Sequence, residues 1–101
     1  MQVRLLTEAS ADLDGIAEYI GRHDPRNARS FTHELVQKVF GLASMAESYR
    51  VIPRYASSGL RRRIHRSCQI LYIADVAHNV VHVARILHTA RDSIPLLAHY
   101  E

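Results

Sequence analysis

The densest chemistry in the chain lies in Arg61-Arg62-Arg63-Ile64-His65-Arg66, five basic side chains in six positions. A guanidinium keeps its charge at every physiological pH and presents a planar fork of donors, so such a run suits phosphates or carboxylates. On a strand, alternate side chains point to opposite faces, and the run cannot make one continuous basic surface. Arg61, Arg63 and His65 then share one face, while Arg62 and Arg66 flank Ile64 on the other. Arg85 and Arg91 join whichever face has the matching register. The expectation is an anion-binding surface for nucleic acid or for an acidic partner segment. The plainer role is a strand edge guarded by charge.

A second group is His88-Thr89-Ala90-Arg91-Asp92. A histidine close to an arginine can perform acid–base chemistry on a phosphodiester. A histidine at a strand end also commonly satisfies a local hydrogen bond, and Arg91 and Asp92 can form a plain surface pair. The other histidines (His23, His33, His65, His78, His82 and His99) fall on different elements, with no Cys or acidic ligands at metal spacing. Neither a metal nor a cofactor is expected: there is no glycine-rich phosphate loop, nucleophile elbow or dinucleotide fingerprint. Tyr19 and Tyr72 read as packing residues, with base stacking as the alternative.

The elements that position these groups follow from periodicity. Gln2 to Leu6 reads as a short strand, and Thr7 as the cap of a helix carrying Glu8 at its positive end. Ala9, Leu13, Ile16, Ala17 and Ile20 recur at helical spacing, Gly21 is a stop signal, and Asp12, Asp14 and Glu18 fall on the solvent side. Asp24-Pro25 signals a second start, after which Ala28, Phe31, Leu35, Val39, Leu42 and Met45 repeat at steps of three and four. So short a connection forces an antiparallel helix hairpin. Glu47 to Gly59 is an aperiodic connector. Leu60 to Arg66, Gln69 to Ala74 and Val80 to Leu87 read as three antiparallel strands, with Asp75 to Asn79 as a turn and a fourth strand available from the N-terminus. The order β-α-α-β-β-β predicts an α+β layer fold, a helix hairpin packed on a small antiparallel sheet.

Length and composition bound the rest. A chain of 101 residues with 48% hydrophobic content makes one domain (1–101) with a thin core. Net charge is +3, and twelve of its thirteen basic residues are arginine, Lys38 being the single lysine. A GC-rich genome produces the same bias. Cys68 is alone, so no intramolecular disulfide is possible and a reducing, cytoplasmic setting is expected. Met1 to Leu6 does not resemble a secretory leader, and no window approaches the roughly 18 apolar residues of a membrane span.

Thr7-x-Ala9-x-Ala11-Asp12-Leu13-x-x-Ile16-x-x-Tyr19-Ile20, then Pro25-x-x-Ala28-x-x-Phe31, resembles the opening of ParE-type toxins of the ParE/RelE superfamily. Gly59-Leu60-Arg61-Arg62, Ile70-Leu71-Tyr72 and Val83-x-x-Ile86-Leu87-His88-x-x-Arg91-Asp92 resemble their second half. The resemblance implies the toxin of a bacterial toxin–antitoxin pair, held in a heteromeric complex by a ParD-like antitoxin from the same operon. ParE-like members resemble inhibitors of DNA gyrase, and RelE-like members are ribosome-dependent mRNA endonucleases. The nucleases commonly place an arginine where Gln69 stands, and that departure favours the gyrase inhibitor. A nuclease would have to rest on His88, Arg91 and Arg62. A nucleic-acid-binding domain without toxicity is the third possibility. The expected partner contacts are Arg61, Arg63, Arg85, Arg91, Tyr19 and, in an apolar tail, Ile94 and Leu97.

Overall fold

A computed structural model describes residues 1–88. Strand β1 (Gln2–Leu5) leads into helix α1 (Thr7–His23), followed by α2 (Ala28–Phe40) and a single turn, α3 (Leu42–Met45). A 3₁₀ helix over Pro53–Ser58 then precedes β2 (Leu60–His65), β3 (Cys68–Asp75) and β4 (Val80–His88). The strands lie in the order β1-β4-β3-β2. Pairs β2–β3 and β3–β4 are antiparallel, but β1 runs parallel to β4, from Gln2↔Val80 to Leu5↔Val83. The sheet is therefore mixed rather than wholly antiparallel. A strand separated from its neighbour by the whole helical hairpin is free to pair in parallel, because a long crossover joins the two.

Several boundaries differ from the sequence reading, each for a local reason. Thr7 does not cap α1: Leu6 is the N-cap, no side chain bonds there, and the Leu6 carbonyl accepts the Ser10 N–H. Gly21 does not stop α1 either, since the helix continues to His23 and Asp24 N–H still bonds Ile20. Asp24 and Pro25 form a turn in place of a cap, with the Asn27 amide donating to both Asp24 carboxylate oxygens at 3.0 and 3.2 Å. Helix α2 then begins at Ala28. The stripe from Ala28 to Met45 is interrupted at Gly41, where a Cβ would lie 3.0 Å from the Gln37 carbonyl and 3.4 Å from an Arg63 nitrogen.

The helices cover one face of the sheet. Ala9, Ile16, Leu35, Val39, Ile70 and Tyr72 belong to that core, and the Tyr72 hydroxyl donates to the Ala46 carbonyl at 2.6 Å. A smaller cluster on the opposite face joins Tyr55, Leu60, Leu71, Ala84 and Leu87. A bulge opposite Leu71 and Tyr72 leaves Ala84 unpaired, so Val83 and Ile86 both reach the helix-side core.

The same irregularity accompanies a close polar contact between sheet and helix. Beyond Leu5, β1 no longer covers β4, and the strand would present a bare N–H at Ile86. Asp12 of α1 takes that N–H at 2.9 Å and also accepts Arg85 Nε at 2.7 Å and its terminal nitrogen at 2.8 Å. Asp12 is thus not a solvent-facing residue of α1; the Asp12 and Arg85 side chains are only 14% and 13% exposed. Replacing Asp12 with alanine strands a largely buried guanidinium and a backbone donor, and should destabilise the fold by about 3 kcal/mol. Asp12→Asn, which keeps one acceptor, should lose less. Urea unfolding of the two variants checks this, and a loss below about 1 kcal/mol for Asp12→Ala would show that the contact is dispensable.

Candidate functional site: a basic edge strand

Strand β2 carries the arginine run along one edge of the sheet. Its side chains alternate as the period of a strand requires. Arg61, Arg63 and His65 turn toward the helices, while Arg62 and Ile64 are exposed on the other side. The two sets have different work. Arg61 donates to the Tyr49 carbonyl at 2.6 Å. Arg63, 9% exposed, donates to the Lys38 carbonyl at 2.9 Å and lies over the Tyr49 ring at 4.9 Å. A guanidinium among the last carbonyls of α2 caps that helix and complements the negative end of its dipole.

His65 sits 3.5 Å from Glu34 of α2, and Arg66 bonds the same carboxylate at 3.1 Å. Burial holds the His65 imidazole below its ordinary value of 6.5, aided by Lys38 and Arg66 and opposed by Glu34. The unfolded chain therefore takes up this proton at a higher pH than the folded one. The His65 contribution to stability is complete above 6.5 and is lost as pH falls through the lowered folded value. Urea midpoints measured on acidification should drop, with a shallower fall in His65→Gln; an equal fall in both proteins would place the proton uptake elsewhere.

The remaining expected site residues are dispersed. Arg85 is held by Asp12. His88 is 4% exposed, with Nε2 2.9 Å from the Ser67 hydroxyl and its ring 5.4 Å from Tyr19 and 6.5 Å from Phe31. Tyr19 also stacks on His23 at 4.1 Å. Arg62 makes a long contact of 3.4 Å to Gln69 and otherwise faces outward. Arg91, Ile94 and Leu97 lie outside the described residues. The expected residues thus divide across the sheet: Arg61, Arg62 and Arg63 lie along edge strand β2, and Tyr19 and His88 meet two strands away, where α1 reaches the end of β4.

Two hollows flank β2. A cleft of about 650 Å³ opens between the end of the helix hairpin and the β2–β3 turn, lined by Asn27, Phe31, Glu34, Arg66 and Ser67 among others. A groove of about 530 Å³ runs along the outer edge between β2 and the preceding connector, where Arg50, Val51, Ile52, Pro53, Arg62 and Ile64 line it. Ile64, at 64% exposure, is the most exposed of the large apolar side chains among the described residues. The sequence reading gave Glu34, Ser67 and Ile64 no role of their own. Only Ile64 carried a signal, an apolar residue on a strand face otherwise occupied by arginines. No three His, Cys, Asp or Glu side chains among the described residues are grouped to hold a metal ion.

A helix hairpin laid on one face of a four-stranded sheet is also the architecture of solved toxin–antitoxin proteins of the ParE and RelE kinds. The chain of the chromosomal ParDE system of P. aeruginosa superposes with a TM-score of 0.69 at 20% identity, covering 87% of this chain and 95% of its own. The RelBE2 toxin–antitoxin complex of Mycobacterium tuberculosis gives 0.66 at 22% identity, with 86% and 95% covered. No curated protein sequence matches. The family described as ParE toxin of type II toxin-antitoxin system, parDE, matches residues 3–93, and the chain belongs to it. Among the described residues no helix is long and apolar enough to cross a membrane.

His88 tests whether this end of the sheet is chemical or structural. His88→Asn should lower the melting temperature, because it removes a buried ring packed by Tyr19 and Phe31. At a temperature where the variant is folded, toxicity should stay within about threefold of the parent, as expected of a binding surface that loses one contact. A drop of about 10²-fold in a folded protein would instead mark an acid–base group.

Proposed function

We propose that this toxin inhibits DNA gyrase and is kept silent by a ParD-like antitoxin from the same operon. The observation that carries the reading is how the groups a nuclease would need are employed. His88 is buried on Ser67, Arg62 faces outward from β2, two strands away from it, and the neighbouring Arg61, Arg63 and Arg85 each bond a fixed partner inside the fold. An mRNA endonuclease needs an acid, a base and a charge stabiliser converging on one phosphate. Here the charge is committed to holding helices onto the sheet. What is left outward is a surface suited to binding, which is all an inhibitor of a large enzyme requires.

The ParE family match supports gyrase over the ribosome as the target, as does neutral Gln69 on β3. Antitoxin contact, on this reading, falls to the outward side chains, with Arg62, Arg50 and Arg66 offering charge that Arg61 and Arg63 do not. The apolar tail containing Ile94 and Leu97 is a further anchor for target or antitoxin.

Purified protein should block supercoiling by gyrase and accumulate cleaved plasmid. Induced alone it should arrest growth, and co-expression of the adjacent small reading frame should restore it. Specific mRNA cuts on translating ribosomes, with gyrase unaffected, would replace the proposal with the endonuclease.

A further inference from the structure

The sheet has two edge strands, β1 and β2, and they are closed to different degrees. Along β2 the connector takes part of the outer edge: Ile52 N–H donates to the Leu60 carbonyl at 2.8 Å, and Arg62 N–H to the Arg50 carbonyl at 3.3 Å. Along β1 no segment does so. Gln2 N–H donates to the Asn79 carbonyl at 3.0 Å and Leu6 N–H to the Val83 carbonyl at 2.9 Å. Residues that bond the neighbour alternate along a parallel ladder, so Gln2, Arg4 and Leu6 turn their backbone groups to β4 and Val3 and Leu5 turn theirs outward. Those outward N–H and C=O groups have no partner among the described residues.

The side chains of this strand are their own complement. From Met1 to Leu5 it reads apolar, polar, apolar, polar, apolar about Val3. Met1, Val3 and Leu5 are half-buried against the helix-side core. Gln2 and Arg4 are exposed on the other face, where Arg4 donates to Gln2 Oε1 at 3.3 Å. Open edges pair readily with other strands, and the side chains decide with which. Antiparallel pairing of two copies about Val3 sets Val3 on Val3, Leu5 on Met1, and each Arg4 guanidinium on the Gln2 amide of the other copy. The neighbouring register in which outward groups also meet is centred on Arg4. It sets guanidinium on guanidinium, and directly opposed like charges repel. An acidic segment or a nucleic acid finds little to select it here, since Arg4 is the one charged side chain between Met1 and Leu6.

We infer that two copies of this chain join through β1, antiparallel about Val3, so that their sheets run on as one. The two-fold axis makes every contact twice. Val3 N–H donates to the Val3 carbonyl of the second copy, and Leu5 N–H to its Met1 carbonyl. On the helix side the row of Met1, Val3 and Leu5 meets its counterpart, and the two apolar cores become continuous. Both β2 strands stay free at the far ends of the joined sheet. The inference goes beyond the gyrase reading and does not rest on it, since a chain without effect on gyrase still presents this edge.

The test is sedimentation equilibrium of the full chain, with amide hydrogen exchange alongside. A strand of 4 residues makes a small contact beside the roughly 1,600 Å² of a standard interface, so a dissociation constant on the order of 10–100 μM is expected. Across that range the mass should rise from one chain to two. Exchange at the Val3 and Leu5 amides should slow by about threefold or more, with Gln2 and Arg4, already bonded to β4, changing little. Gln2→Arg sets a second guanidinium on Arg4 of the other copy and should weaken association by about threefold or more. Gln2→Glu sets a carboxylate there and should strengthen it by about threefold. Both change an exposed side chain and leave the β1–β4 ladder intact, so neither depends on a rebuilt core. A mixture of Gln2→Cys and Arg4→Cys proteins should form a disulfide-linked dimer on mild oxidation where neither does alone, Cys68 being buried. A chain that stays monomeric at about 1 mM would overturn the inference, as would Gln2→Arg and Gln2→Glu shifting the affinity in one direction. Crosslinking of Arg4→Cys alone would overturn the register. Association lost in Ile64→Glu and untouched in Gln2→Arg would overturn it too, by moving the contact to β2.

Discussion

Asp12 stands where two parts of the molecule would otherwise come apart. Strand β1 is too short to cover β4, and the uncovered length lies beside the ladder bulge. One carboxylate from α1 substitutes for the missing strand by taking the Ile86 N–H, and with the same two oxygens fixes the Arg85 guanidinium. The register of α1 on the sheet follows from that contact. Ala9 and Ile16, fully buried on either side of Asp12 along the helix, can reach the sheet only in the rotation that aims Asp12 at β4.

Arg63 performs a comparable service at the opposite edge, where it closes the end of α2 and rests on Tyr49. Both helices are therefore tied to the sheet by an arginine from a strand, one at its carboxylate and one at its last turn. In a domain with so thin a core, charge-assisted hydrogen bonds of this kind hold orientation that apolar burial alone leaves loose. Other arginines remain exposed, Arg50, Arg54, Arg62 and Arg66 near β2 and Arg4, Arg22, Arg26 and Arg29 elsewhere.

The element order and the alternation of the arginine run were legible in the sequence because each rests on a period, 3.6 or 2, that a buried face enforces. Caps and stops were less so. Thr7, Gly21 and Asp24 carry the right chemistry for ends, but α1 continues past Gly21 because Tyr19 and His23 gain a stacked contact there and Asp24 serves a turn. Asp12 looked solvent-facing because helical spacing reports the apolar stripe and not what waits beside it. The employment of Arg61, Arg63 and Arg85 depended on carbonyls and carboxylates brought from 12 to 73 residues away, which no local pattern encodes. The β2–β3 turn was equally silent, since Arg66 adopts a left-handed backbone, φ 54°, that its residue type does not announce.

The parallel pairing of β1 with β4 also sets an order of events during synthesis. The first strand of the chain finds its neighbour only in the last strand described, so the sheet stays incomplete while the ribosome is still making the middle. Until β4 emerges, Asp12 has no arginine, Ile86 has no acceptor, and α1 can hold no fixed rotation. Whatever the finished protein acts on, it meets only after that closure. A partner already present in the cell has the whole of translation, and the slow closure of a distant contact, in which to be waiting for it.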